Sequence, residues 1–313
     1  MSSATAVLHR ARSPSLPRYE LIGPSTAPLV IVLGGISASA HVTSTPSNPA
    51  PGWWDAVVGP GRVIDTERFR VLSFDWLDES VVASSQAVTT HDQAAALARL
   101  LDALGIDQAY AVVGASYGGM VALAFAERYG ARLEQLIAVS AAHESSPMST
   151  GLRAIQRRIV ALGLESGRVK EALAIARALG MTTYRSAAEF ADRFAPVEPE
   201  PDQRGVTFAV ERYLMEHGER FAQRFDARRF CALSLSCDLH RVDPAAITVP
   251  TLLVAADWDT LVPREQIEEL ASRLTGPSRI ERLETRVGHD AFLAEPAAIG
   301  QILTVALSRQ TIS

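Results

Sequence analysis

The chain has 313 residues, of which 48% are hydrophobic and 21% charged, with a formal net charge of -5. That is the profile of a globular protein large enough for one α/β domain with an insertion, or for two domains. The acidic balance, with no long basic stripe, excludes nucleic acid as the main partner, and no apolar run approaches the ~20 residues that a membrane-spanning helix needs. The leading segment, Met1 to Pro17, carries no apolar stretch of the secretion-signal kind and reads as a loose lead-in.

In chain order, residues 29–33 form an apolar strand and residues 69–74 another. An amphipathic helix over 92–104 stops at Gly105, followed by a strand over 109–113 and a helix from Met120 to Tyr129. A further strand covers 136–140. Residues 144–243 then differ in texture: Arg- and Glu-rich, helical in period over 152–162, 169–179, 187–194 and 210–221, broken by Pro196, Pro199 and Pro201, and without a clear strand. The first pattern resumes with a strand at 251–255, a helix at 264–274, a strand at 279–283 and a helix at 296–307. Such alternation specifies a mainly parallel central sheet with helices on both faces. The core therefore comes in two parts, 18–143 and 244–313, and the all-helical insertion 144–243 is expected to lie over the carboxyl ends of the strands as a lid, where open α/β sheets place their ligands. Cys231 and Cys237 are too few for a disulfide framework and lack a metal-ligand spacing, so both read as core thiols of a reducing cytoplasm, and no metal is expected.

The segment Gly114-Ala115-Ser116-Tyr117-Gly118 joins a buried strand to an Ala-rich helix. In that setting G-x-S-x-G is a nucleophile elbow, with Ser116 at the tip of a tight turn; elsewhere the same residues would merely cap a helix. A serine nucleophile needs a base and the base an acid, in the chain order Ser, acid, His. Asp259, in the turn after the 251–255 strand, is the expected acid, with Asp257 the alternative; its D-x-L-V-P turn resembles that of α/β-hydrolases. His289, in the loop after the last strand, is the expected base, since the other histidines precede the serine or lie in or beside the insertion. The oxyanion would be met by the backbone N–H of Tyr117 and by one from the 34–37 loop, most simply that of Ile36.

Beyond the triad, several segments resemble the homoserine O-acetyltransferase family. They are Ala40-His41-Val42, Pro51-Gly52-Trp53-Trp54-Asp55, the run from Val58 to Phe69, Gly118-Gly119-Met120 and Gly288-His289-Asp290-Ala291-Phe292-Leu293. Within the insertion, Ala154-Ile155-Gln156-Arg157, Tyr184-Arg185-Ser186 and Gly218-Glu219-Arg220-Phe221 are similar as well. The resemblance implies an α/β-hydrolase fold with no permanently bound cofactor. It implies acyl-CoA, acetyl-CoA before succinyl-CoA, as co-substrate, and transfer to the hydroxyl of homoserine in methionine biosynthesis by a ping-pong route. It also implies that Arg185 binds the acceptor carboxylate and Asp290 its ammonium, and that the chain forms a homodimer through the lid. The sequence departs from the family pattern at Tyr117, at Ile36-Ser37-Ala38 and at Glu216-His217. The alternatives are a serine O-acyltransferase of cysteine biosynthesis, an esterase or amidase on the same scaffold, and a non-catalytic binding protein of this fold.

Overall fold

The computed structural model describes residues 7–9, 16–78, 87–194, 198–202 and 205–308. Pro196 and most of the lead-in fall outside that set. The chain opens with β1 (Val7–His9), β2 (Tyr19–Ile22) and β3 (Leu29–Leu33), then a two-residue parallel pair, β4 (Val58–Gly59) with β5 (Ile64–Asp65). Then come β6 (Arg70–Phe74), α1 (Thr90–Ala103), β7 (Ala111–Ala115), α2 (Tyr117–Tyr129) and β8 (Leu136–Val139). The insertion contributes α3 (Pro147–Ser166), α4 (Val169–Tyr184), α5 (Ala187–Arg193), β9 (Glu200–Asp202), β10 (Gly205–Thr207), α6 (Ala209–Arg224) and α7 (Ala227–Asp238). The core ends with β11 (Thr251–Ala256), α8 (Arg264–Arg273), β12 (Ser278–Leu283), α9 (Ala291–Ala294) and α10 (Pro296–Leu307).

Eight strands form one sheet in the order β1-β2-β6-β3-β7-β8-β11-β12, parallel from β6 to β12, with β2 antiparallel to both β1 and β6. The apolar runs are continuous because both faces are covered. Ile31, Leu33, Leu72 and Val112 pack towards α1 and α2 with Leu97, Leu101 and Phe125. Val30, Val32, Val71 and Val113 pack the other way, against Ile299 and Leu303 of α10. All six strands expected from the sequence are present, as are the core helices.

Two expectations are corrected. The lead-in is not wholly loose, since the backbone of Val7–His9 pairs with β2. The insertion is not all-helical: β9 and β10 form an antiparallel pair within it. Each of these two strands is an edge, where Pro201 without an N–H is tolerated, so a proline that breaks the helical period there also suits a short hairpin. One lid helix, α7, went unread because buried polar residues interrupt its apolar face: Ser234 and Ser236 are buried, and Asp238 is tied at 2.6 Å to both Arg153 and Arg157 of α3.

Candidate active site

Ser116 sits where β7 turns into α2, with φ 55° and ψ -121°, a backbone conformation that L-residues adopt only under constraint. The turn is tight enough to demand its glycines: a Cβ on Gly114 would lie 2.3 Å from the Gly118 carbonyl oxygen, and one on Gly118 2.2 Å from that of Leu33. The Gly118 N–H donates to the Gly34 carbonyl at 2.9 Å, which ties the elbow to the loop after β3.

Three strands along the sheet, the loop after β12 brings His289 to the serine. Its Nε2 lies 2.8 Å from Ser116 Oγ, and its Nδ1 lies 2.8 Å from Asp259 Oδ2. The second oxygen of Asp259 accepts from the N–H groups of Leu261 at 3.0 Å and Val262 at 2.9 Å. With Oδ2 accepting at Nδ1, the tautomer selected carries its proton on Nδ1 and leaves Nε2 free to accept from Ser116. Burial alone would lower the His289 pKa, but the charge and hydrogen bond of Asp259 outweigh it and hold the imidazole above its ordinary value. Trp258, at φ 60°, turns the chain between the two candidate acids, and Asp257 faces away, to Arg282 at 2.7 and 2.9 Å.

Tyr117 directly follows Ser116 and Ile36 lines the same cavity, and among the described residues the backbone N–H of neither donates to a backbone carbonyl. The Tyr117 side chain, the departure at the elbow, turns into the core, where its hydroxyl lies 2.8 Å from Ser236 Oγ on lid helix α7 and 3.3 Å from Gln93 Nε2 on α1. It is 1% exposed, and burial raises its pKa, which keeps it a neutral phenol.

Lid and core enclose a cavity of about 110 Å³ over Ser116 and His289, with Ile36, Met120, Tyr184 and Phe292 among its apolar walls. Its charged lining sorts into partners. Arg153 pairs with Asp238 at 2.6 Å, and Glu144 with Arg241 at 3.7 Å. Asp290 lines the cavity; burial pushes its carboxyl above the usual carboxylate range, against the lowering pull of His289, Arg177 and Arg185. Arg185 is not brought to the cavity wall as expected. Its guanidinium lies 3.6 Å from Asp290 and 3.3 Å from Glu189. Besides Arg153, the cation that lines the wall is Arg177, which the sequence reading missed. It stacks on Tyr184 at 5.0 Å and Phe221 at 4.8 Å and has no hydrogen bond or ion pair among the described residues. The available signal was its position two helical turns before Tyr184 on α4, one face leading to the Tyr184-Arg185-Ser186 segment.

A mainly parallel sheet, an elbow serine, and an acid and a histidine following in that order define a protein of the α/β-hydrolase fold, and the family model described as alpha/beta hydrolase fold matches residues 28–296. The chain is 45% identical over 293 residues to homoserine O-succinyltransferase of Xanthomonas campestris, covering 93% of this chain and 78% of that protein. It is 34% identical to L-serine/homoserine O-acetyltransferase of Streptomyces lavendulae, over 90% of this chain and 88% of that one. Homoserine O-acetyltransferase from Staphylococcus aureus superposes on it with a TM-score of 0.80 at 26% identity, covering 95% of this chain and 90% of the other. The chain belongs to the homoserine/serine O-acyltransferase family of the α/β-hydrolase superfamily, and it is an acyltransferase.

Proposed function

We propose that this protein acylates the hydroxyl of L-homoserine from an acyl-CoA, by a ping-pong route through Ser116. The observation that carries the reading is the unbroken chain Ser116–His289–Asp259, two contacts of 2.8 Å, opening into a roofed cavity that presents charged groups. His289 takes the Ser116 proton as Oγ attacks the thioester carbonyl. The Tyr117 and Ile36 N–H groups receive the oxyanion, and the tetrahedral species collapses to the serine ester as His289 protonates the departing CoA thiolate. In the second half His289 deprotonates the acceptor hydroxyl, which attacks the ester; the proton then returns to Ser116. The lid disfavours water as the acceptor, and His289 itself is only 5% exposed.

Asp290, in the cavity wall with Arg185 3.6 Å behind it, offers a carboxyl group to the ammonium of an amino acid, which favours such an acceptor over a simple alcohol. For the donor, a specific observation favours the reading that the sequence ranked second. Arg177 lines the cavity with no ion pair of its own among the described residues, although Asp290 feels its charge, and a succinyl group would bring it a carboxylate, whereas an acetyl group would not. The 45% identity to a protein named homoserine O-succinyltransferase supports the same choice. A homodimer through the lid is supported by Met148, Ile155 and Leu162 of α3, apolar residues seven apart that are 69%, 53% and 50% exposed.

The test supplies acetyl-CoA or succinyl-CoA with homoserine or serine in all four pairings and follows free thiol. Release that depends on homoserine is expected, fastest with succinyl-CoA. Release indifferent to any amino acid would replace this reading with that of a hydrolase.

A further inference from the structure

The loop that follows β6 touches the nucleophile's surroundings without touching the nucleophile. Trp76, 3% exposed, donates its indole N–H to the Gly35 carbonyl at 3.1 Å. The same carbonyl accepts from the Ala38 N–H at 2.9 Å. One residue earlier, Asp75 Oδ1 accepts from the Ala40 N–H at 2.7 Å, so the loop after β3 is clamped at both ends of a short span. The Gly35 carbonyl belongs to the same peptide unit as the Ile36 N–H. In a trans peptide the two are coplanar and point in opposite directions, so fixing the oxygen fixes the aim of the hydrogen. Rotating that unit would abandon both bonds to the oxygen. Donors on the oxygen also polarise the peptide and strengthen its N–H as a donor.

The ring of Trp76 does a second thing. It meets the Tyr117 ring edge-to-face at 5.0 Å. Tyr117 is in turn pinned through its hydroxyl to Ser236 and Gln93, and Gln93 holds both the N–H and the carbonyl of Leu77, next to Trp76, at 2.9 and 2.8 Å. Trp76 therefore contacts both the Gly35–Ile36 peptide and Tyr117, the two places from which the oxyanion donors are read. We infer that Trp76 is the positioning residue of the oxyanion hole: its indole N–H aims the Ile36 N–H, and its ring braces the residue that supplies the other donor. The inference rests on the reading of Ser116 as nucleophile and of Ile36 and Tyr117 as oxyanion donors.

The discriminating change replaces Trp76 in the full chain with β-(3-benzothienyl)alanine, which keeps the bicyclic shape but has sulfur in place of N–H; Trp76→Phe serves as the encoded counterpart. The readout is the burst of p-nitrophenol from p-nitrophenyl acetate, whose amplitude counts competent Ser116 and so corrects for any unfolded fraction. The expected result is an acylation rate lowered about ten-fold, less than the 10²–10³ lost when an oxyanion donor is deleted outright, with the dissociation constant of the ester, read from the concentration dependence of the burst rate, and the midpoint of the acidic limb unchanged. 7-Azatryptophan, which retains the N–H, should restore the rate. An acylation rate within two-fold of wild type for the benzothienyl variant, or an equal loss with 7-azatryptophan, would overturn the inference. Ser116→Ala should give no burst; a burst that survives it would instead overturn the reading of Ser116 on which the inference stands.

Discussion

Replacing Asp259 by Asn is the most revealing single perturbation, because the structure dictates how the amide must sit. Asp259 Oδ1 accepts from two backbone N–H groups, at 3.0 Å from Leu261 and 2.9 Å from Val262. The oxygen of Asn would keep that place, which turns its NH₂ towards His289 Nδ1. Two donors would then face one another at 2.8 Å, and the imidazole relieves the conflict only by moving its proton to Nε2. Nε2 would then point a proton at Ser116 Oγ and have no lone pair to receive one. The wrong tautomer of such a base costs about 10³- to 10⁴-fold in rate, or about 4–5.5 kcal/mol of activation free energy. The assay is stopped-flow thiol release on mixing enzyme with acyl-CoA in the absence of acceptor, across pH. Because the Asp259 charge and hydrogen bond offset the lowering effect of burial on His289, the residual activity should also show its acidic limb at lower pH than wild type. A rate within ten-fold of wild type, or an acidic limb that does not move down, would refute this account of the base.

Three further outcomes follow from particular contacts. Arg177→Met should lower kcat/KM for succinyl-CoA about ten- to hundred-fold, the worth of a charge-assisted hydrogen bond, and leave acetyl-CoA unchanged; equal losses with both donors would remove Arg177 from donor choice. His240 is held neutral with its pKa lowered to about 3, chiefly by burial, its ring nitrogens placed 2.8 Å from Thr90 Oγ1 and 3.0 Å from the Ala142 carbonyl. Only the unfolded chain takes up a proton there as pH falls below 6.5, so His240 should cost the fold about 1.6 kcal/mol between pH 6.5 and 5.0. Urea unfolding of His240→Gln should show a correspondingly smaller loss over that interval; an identical loss would refute the assignment. Ile155→Glu, on the exposed apolar stripe of α3, should halve the sedimenting mass, and a wild-type chain that sediments as a monomer would remove the dimer from the account.

The parts of this molecule that were legible in its sequence share a cause: each is specified by neighbours along the chain. The β-strands buried on both faces read as apolar runs, and the elbow reads as small residues between a strand and a helix. His289 could be assigned because chain order and loop position left it few competitors. The parts that were not legible depend on partners distant in sequence. β2 carries Glu20, whose buried carboxylate is met by His41 at 2.9 Å and by Asn48 at 3.3 Å, and a charged residue in a four-residue segment hides the strand. Asp257 and Asp259 occupy one turn, and only the left-handed backbone at Trp258 sends them to different partners. Arg185 was matched to the acceptor by its motif, but its side chain is held by Glu189 and Asp290, while Arg177, in no motif, reaches the cavity wall. Trp76 is joined to Gly35 across 41 positions, a contact that no local pattern announces.

The central claim is that Ser116 carries the acyl group between donor and acceptor. Intact-mass measurement after mixing the protein with succinyl-CoA and no acceptor tests it directly. The account predicts a gain of one succinyl group per chain, located at Ser116 by peptide mapping, absent from Ser116→Ala and discharged as O-succinylhomoserine when homoserine is added. An adduct that persists in Ser116→Ala, or transfer to homoserine that proceeds without any covalent species, would contradict it.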